Sequence, residues 1–204
     1  DLAFCVDQMM AQLGRPGHGE AAVRNWVGNG VERLVRRALI GRLDGEPDQA
    51  DFDRAYPIFL SLYAENTSQR SHLYPGVIEG LDYLAASGYR LGCVTNKAER
   101  FTVPLLKDLG VYDDFGIVVS GDTLAYKKPH PAPLLHAAEF FQVAPQQALM
   151  VGDSVSDVKA ARAAGFMIAC VPYGYNHGDD IRLAEPDVII ESLAGLRAVL
   201  ERAA

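Results

Sequence analysis

The chain has 204 residues, 49% of them hydrophobic and 22% charged, which is enough apolar content for one globular domain with an insertion or for two small domains. A formal net charge of -7 argues against binding nucleic acid or an anionic membrane through bulk electrostatics, so an anionic ligand has to be held by local cations. No apolar run approaches the roughly 18 residues that span a bilayer.

The three cysteines, Cys5, Cys93 and Cys170, are scattered in apolar settings without disulfide or zinc spacing. They read as small core hydrophobes and suit a reducing cytoplasm. No signal peptide is visible, and a first residue other than Met is consistent with a lost natural start. Oligomeric state is not readable.

Up to Leu73-Tyr-Pro-Gly76 the pattern is helical: Leu2 to Leu13, Gly30 to Ile40, and roughly Ala50 to Gln69. In the middle segment Val31, Leu34, Val35, Ala38 and Leu39 recur at helical spacing, which puts the charged residues on the opposite face. Pro57 is expected to kink or split the third segment. These elements form a small helical unit over residues 1–74.

From Pro75 onward the chain alternates. Helix Val77–Ala86 stops at Gly88 and leads to strand Arg90–Thr95; helix Glu99–Leu109 stops at Gly110 and leads to strand Gly116–Ser120. Helix Ala132–Phe141 precedes strand Ala148–Gly152. A helix ending at Gly165 follows, then strand Phe166–Val171, a short strand at Val188-Ile-Ile190 and a closing helix Leu193–Arg202. Glycine stops support these boundaries. Such alternation predicts a three-layer α/β core with a parallel sheet over residues 75–204.

Open parallel sheets bind ligands at the carboxyl ends of their strands. Three such ends carry chemistry. In Leu149-Met-Val-Gly-Asp-Ser-Val-Ser-Asp157 a buried strand stops at Asp153, and Asp157 follows at the start of a helix, able to share its side. Two carboxylates there suit a hard cation such as Mg²⁺ that holds a phosphate; Asp153, Ser154 and Ser156 equally suit a plain helix cap. Thr95 and Asn96 end another strand with donors for a phosphoryl oxygen, or form an ordinary strand-to-helix turn. Lys128, held extended by Pro129, is a charge-neutralising lysine or a solvated loop residue. Gly28-Asn29-Gly30 reads as a shaped turn or as a flexible break between helices.

The order Thr-Asn-Lys, Lys-Lys-Pro, Gly-Asp-x-x-x-Asp, each at a strand end, resembles the haloacid dehalogenase superfamily. Trp26-Val-Gly-Asn-Gly30, Tyr74-Pro-Gly-Val77, Val94-Thr-Asn-Lys97, Lys127-Lys-Pro-His-Pro131, Val151-Gly-Asp-Ser154 and Tyr173-Gly-Tyr-Asn-His-Gly178 are similar to its phosphoglycolate phosphatase branch, over essentially the whole chain. The resemblance implies a Rossmann-like core with an inserted helical cap and a small phosphate ester as substrate, foremost 2-phosphoglycolate. It implies catalytic roles for Thr95, Lys128 and Asp157, with Asp157 acting in the outer shell or through water. Asp153 would ligate Mg²⁺, and Asn96, Asn29 and Gly30 would bind substrate, the turn at Gly28–Gly30 facing the site. The Tyr173–Gly178 loop would line the pocket, with His177 and His130 read as surface residues.

The superfamily's Asp-x-Asp at the first strand tip does not open this chain. Asp7 falls in a helical pattern and is not the nucleophile. That strand is expected between those carrying Thr95 and Asp153, and its loss would open the core, so an upstream segment carrying it is expected. The rival readings are another capped phosphatase or a sugar-phosphate mutase and, from a different class, a non-catalytic phosphate- or partner-binding module. A dehalogenase fits less well because the acidic strand tip suits a cation.

Overall fold

The computed structural model describes residues 1–203. The chain divides into two compact units, Asp1–Ser71 and His72–Ala204.

The first unit holds helices α1 (Leu2–Gln12), α2 (Gly19–Trp26), α3 (Val31–Ile40) and α4 (Gln49–Glu65). Helical spacing turns Cys5, Val6, Met9 and Met10 of α1 inward, with Val23 and Trp26 of α2, Leu34, Val35 and Ala38 of α3 and Phe52, Ala55, Phe59 and Tyr63 of α4. Removing each large apolar side chain from water contributes about 1.5–3 kcal/mol, so this face holds the four helices together.

Three expectations need correction here. Pro57 does not split its segment: α4 runs unbroken through it. The proline lies on the exposed side, where water can satisfy the carbonyl it leaves without a partner. Helix α2 was not anticipated. Its first amides are capped from a distance, because Asp7 of α1 accepts the N–H groups of His18 (2.7 Å) and Gly19 (3.2 Å). Gly17 permits that approach, since a β-carbon there would lie 2.8 Å from the Asp7 carboxyl carbon. Finally, Arg37 is not on a solvent face: only 7% of it is exposed.

The second unit alternates as α5 (Val77–Ala86), β1 (Gly92–Val94), α6 (Glu99–Asp108), β2 (Ile117–Val119), α7 (Ala132–Phe141), β3 (Leu149–Gly152), α8 (Val155–Ala164), β4 (Met167–Cys170), β5 (Val188–Ile189) and α9 (Leu196–Ala203). All pairings are parallel, in two sheets ordered β1-β2 and β3-β4-β5. Strands are two to four residues long; β1, β2 and β4 are shorter than expected at both ends, β3 only at its start and β5 only at its end. The pairing register aligns Val94 with Val119 and Gly152 with Cys170, so the carboxyl ends of paired strands lie together.

One apolar core ties the pieces: Leu134 of α7, Val158, Ala160 and Ala161 of α8, and Ile168 and Cys170 of β4 pack with Val94 of β1 and Met150 of β3. Gly165 ends α8 in a left-handed conformation, φ 77°, that a side chain would strain. Among the described residues, no helix is long and apolar enough to cross a membrane. The cysteines carry free thiols.

Candidate functional site

The apolar strand β3 stops at Gly152, and α8 begins three residues later at Val155, with Ser154 as its N-cap. This places Asp157 in the first helical turn, facing back over the strand tip. Its Oδ2 accepts the backbone N–H of Asp153 (3.1 Å), the N–H of Ser154 (3.1 Å) and the Ser154 hydroxyl (2.8 Å). Its Oδ1 lies 2.8 Å from Lys128 Nζ. Gly152 makes room, because a β-carbon there would sit 2.3 Å from that of Asp157.

Asp157 is therefore both a helix cap and an ion-pair partner. Burial pushes its carboxyl upward in pKa, but the Lys128 charge and the donated hydrogen bonds outweigh that and hold it below the usual carboxylate range.

Lys128 comes from the loop before α7, through a cis Lys128–Pro129 bond. Its ammonium also donates to the Val94 carbonyl at 2.6 Å. One cation thus touches the residue before Thr95 and the carboxylate that holds the Asp153 amide. Thr95 continues the parallel pairing by donating its N–H to Val119 O (2.9 Å). Its hydroxyl oxygen accepts the Lys97 N–H (3.1 Å), which leaves the hydroxyl proton to donate elsewhere. Burial draws the Lys97 ammonium down to about 8.

Asp153 has the opposite setting from Asp157. Burial first, then the neighbouring Asp157 charge, raise its carboxyl to about 6. Its Oδ2 accepts the Tyr175 N–H (2.8 Å). Gly174 lies flat against it: a β-carbon there would come within 2.0 Å of the Asp153 side chain. A cleft of about 240 Å³ opens beside Asp153, walled by Tyr74, Val77, Val151, Tyr173 and Leu193. A larger cavity of about 530 Å³ lies in the helical unit, lined by Asn29, Glu32, Arg33, Arg36 and Glu46. Its arginines are already paired with Glu32 and Glu46.

The sequence matches the haloacid dehalogenase-like hydrolase family over residues 6–171. The chain belongs to the haloacid dehalogenase-like hydrolases.

Its relatives in this family include a phosphoglycolate phosphatase of Nitrosococcus oceani, 62% identical over all of this chain and 91% of the relative. Another, from Thiobacillus denitrificans, is 48% identical over all of this chain and 89% of the relative. A crystal structure described as a predicted phosphoglycolate phosphatase from Haemophilus somnus superposes with a TM-score of 0.91 at 34% identity, covering 98% of this chain and 90% of that one.

Phosphatases among the haloacid dehalogenase-like hydrolases generally use Mg²⁺. The donor set here fits such an ion. The Asp153 carboxylate is a hard oxygen donor whose charge is disfavoured by burial, so a cation against it would relieve that cost. Mg²⁺ commonly takes one or two carboxylates and keeps several waters. Among the described residues no cluster of three His, Cys, Asp or Glu side chains forms a ready-made cage. Asp157, with both oxygens engaged, is placed to steady Asp153 and Lys128.

Within this family frame, the strand tips bring Thr95, Asn96, Lys128, Asp153 and Asp157 into one contact network, while Asn29 and Gly30 belong to the helical unit. There Gly28, Asn29 and Gly30 take positive φ in succession, 137°, 63° and 89°. Arg37 fixes the turn by donating to Trp26 O (2.7 Å), Gly28 O (3.3 Å) and Asn29 Oδ1 (3.3 Å). Sequence reasoning overlooked Arg37 and the buried Asn176. Asn176 Oδ1 accepts the Val155 N–H (3.0 Å) and so ties the Tyr173–Gly178 loop to the start of α8. Its partner lies 21 residues away, beyond any local pattern.

Proposed function

We propose that this hydrolase is a Mg²⁺-dependent phosphomonoesterase that cleaves a small anionic phosphate ester, 2-phosphoglycolate, to glycolate and phosphate. The observation that carries this reading is the Lys128 ammonium held between Val94 O and Asp157 beside the Asp153 strand tip. The name borne by the relatives at 62% and 48% identity supports the substrate.

In this mechanism an aspartate outside the described residues attacks phosphorus to form an acyl phosphate, and the ester P–O bond breaks as the second aspartate of the same Asp-x-Asp motif protonates the leaving glycolate oxygen. Water then hydrolyses the acyl phosphate, and two easier steps replace one difficult one. Thr95 donates its hydroxyl proton to a phosphoryl oxygen, and Lys128 balances the charge gathering on the transferring group. Asp157 keeps Lys128 charged and aimed. Asp153 holds Mg²⁺, which offsets negative charge on phosphoryl oxygens.

Residues 1–74 are assigned as the cap, with Asn29 and Gly30 selecting the substrate, and residues 75–204 as the core. A cytoplasmic setting belongs to the same reading, as free thiols suit a reducing compartment.

Phosphate release by the full-length protein tests the proposal. The rate with 2-phosphoglycolate is expected to exceed that with sugar phosphates and to vanish with chelator. Asp153→Asn should lower kcat about a thousandfold. Isomerised sugar phosphate without net phosphate release would point to a mutase, and ligand binding without turnover to a binding module.

A further inference from the structure

We infer that Asn96 is a positioning residue for Lys128 and acts on the reaction through that lysine rather than by touching the substrate. The inference rests on the phosphatase reading and refines the substrate contact first expected of Asn96.

Two hydrogen bonds carry it. Asn96 Nδ2 donates to Lys128 O at 2.8 Å, and the Lys128 N–H donates to Asn96 Oδ1 at 3.0 Å. A main-chain N–H can only donate and a carbonyl can only accept, so the orientation of the carboxamide is fixed by its partners. One side chain therefore grips the peptide groups on both sides of the Lys128 α-carbon, as a paired strand would. The two residues are 32 apart in sequence.

The backbone of Asn96 is itself closely packed. The Gly121 N–H donates to Lys97 O at 2.7 Å, and the chain passes so close that a β-carbon on Gly121 would lie 2.2 Å from Asn96 O. The grip thus transmits the position of the β1 end, where Thr95 sits, to the loop that carries Lys128.

The far end of the lysine is held by Val94 O and Asp157. A free lysine side chain carries about 2 kcal/mol of rotamer entropy. With its main chain and its ammonium both anchored, the charge meets the transition state already placed, which is where preorganised electrostatics acts. Loss of the grip frees the base of the side chain. The charge is then misplaced in the transition state while ground-state binding changes little.

The test compares Asn96→Ala, Asn96→Asp, Lys128→Ala and the double variant Asn96→Ala/Lys128→Ala in full-length protein with 2-phosphoglycolate. Asn96→Ala is expected to lower kcat about 10–100-fold, as loss of an orienting partner does, with KM within about threefold. Asn96→Asp preserves shape and the oxygen that accepts the Lys128 N–H, but turns the donor into an oxygen facing a carbonyl. It should lose kcat similarly at retained KM, and it serves as the test if the alanine variant does not fold.

The double variant should fall no further than Lys128→Ala alone, because residues that act as a unit are not additive. Effects that multiply, or a rise in KM of about tenfold or more in Asn96→Asp from a carboxylate meeting an anionic substrate, would overturn the inference alone. Unaltered kcat in Lys128→Ala would instead bring down the phosphatase reading of the site, and this inference with it.

Discussion

Each compact unit buries the head of a long cationic side chain, and the two surroundings differ. In the helical unit Arg37 sits among neutral acceptors: Trp26 O, Gly28 O, Leu43 O and Asn29 Oδ1. Trp26 ends α2, so Arg37 also meets carbonyls at a helix terminus, where positive charge is favoured. In the α/β unit Lys128 faces a full charge, Asp157, and one carbonyl.

The planar guanidinium, with five donors in a fork, can tie several strands of backbone at once. The ammonium is a point charge that suits an exposed rim and a reacting anion. Arg37, wrapped in carbonyls, shapes a loop; in the proposed function Lys128, paired with a carboxylate beside a second acid, holds its charge ready for the reaction. The contrast separates architecture from chemistry without appeal to any single motif.

Lys128→Met breaks the comparison most severely. It leaves Asp157 buried without its counter-ion, and such a loss costs about 3–5 kcal/mol. The sign with pH is definite. With Lys128 present, the Asp157 pKa is lowered, so its stabilisation exists above the ordinary carboxylate range and fades as pH falls through the folded value. Without Lys128 its largest lowering influence is gone while burial still opposes the charged form, so the penalty appears as pH rises. Urea denaturation of the variant should therefore show its largest deficit near neutral pH and a smaller one near pH 4; an equal deficit at both would refute the assignment of the pair.

Arg37→Met removes donors from carbonyls but strands no charge. The expected cost is about 2–3 kcal/mol, with little change between pH 5 and 8, because orphaned carbonyls do not titrate. A deficit in the variant that vanishes at low pH would mean that an acidic partner, not the carbonyls, is what Arg37 serves.

The smallest effect sharpens the view of Asp153. Its folded pKa of about 6 lies above the ordinary value of 3.8. The neutral form is therefore favoured on folding, and the associated stability is present below about pH 4 and lost as pH rises through 6. A divalent cation that binds the carboxylate offsets that loss. Added Mg²⁺ should raise Tm by about 2–4 °C at pH 7.5 and by less at pH 5. A shift that is equal at both pH values would separate cation binding from Asp153.

Much of this arrangement was legible in the residues, and the exceptions share a cause. Val77–Ala86 and Ala132–Phe141 have the expected bounds because the apolar period and the entering proline are local signals, joined for the first helix by the glycine at 88. The strands at Cys93 and Val118 shortened because pairing depends on neighbours absent from a local window. Lys128 and Asp153 stood out through Lys-Lys-Pro and Gly-Asp, each beside a periodic element. Arg37 did not, since period alone assigns a charge to the solvent face and its acceptors lie in two turns on either side. Asn96 was read as a donor toward ligand, while its partner sits in a loop 32 residues later. Side chains that join distant backbone leave no trace in spacing.

The reach of Asp7 to the start of α2 makes that helix conditional. Eight residues that open on glycine are too few to nucleate on their own in water. A peptide of this segment cut from the chain has no means to end its own exposed amides, so its helical order arrives only with the docking of α1. The unit consequently assembles in concert, and a lesion in the first dozen residues is felt in the turn at Gly28–Gly30.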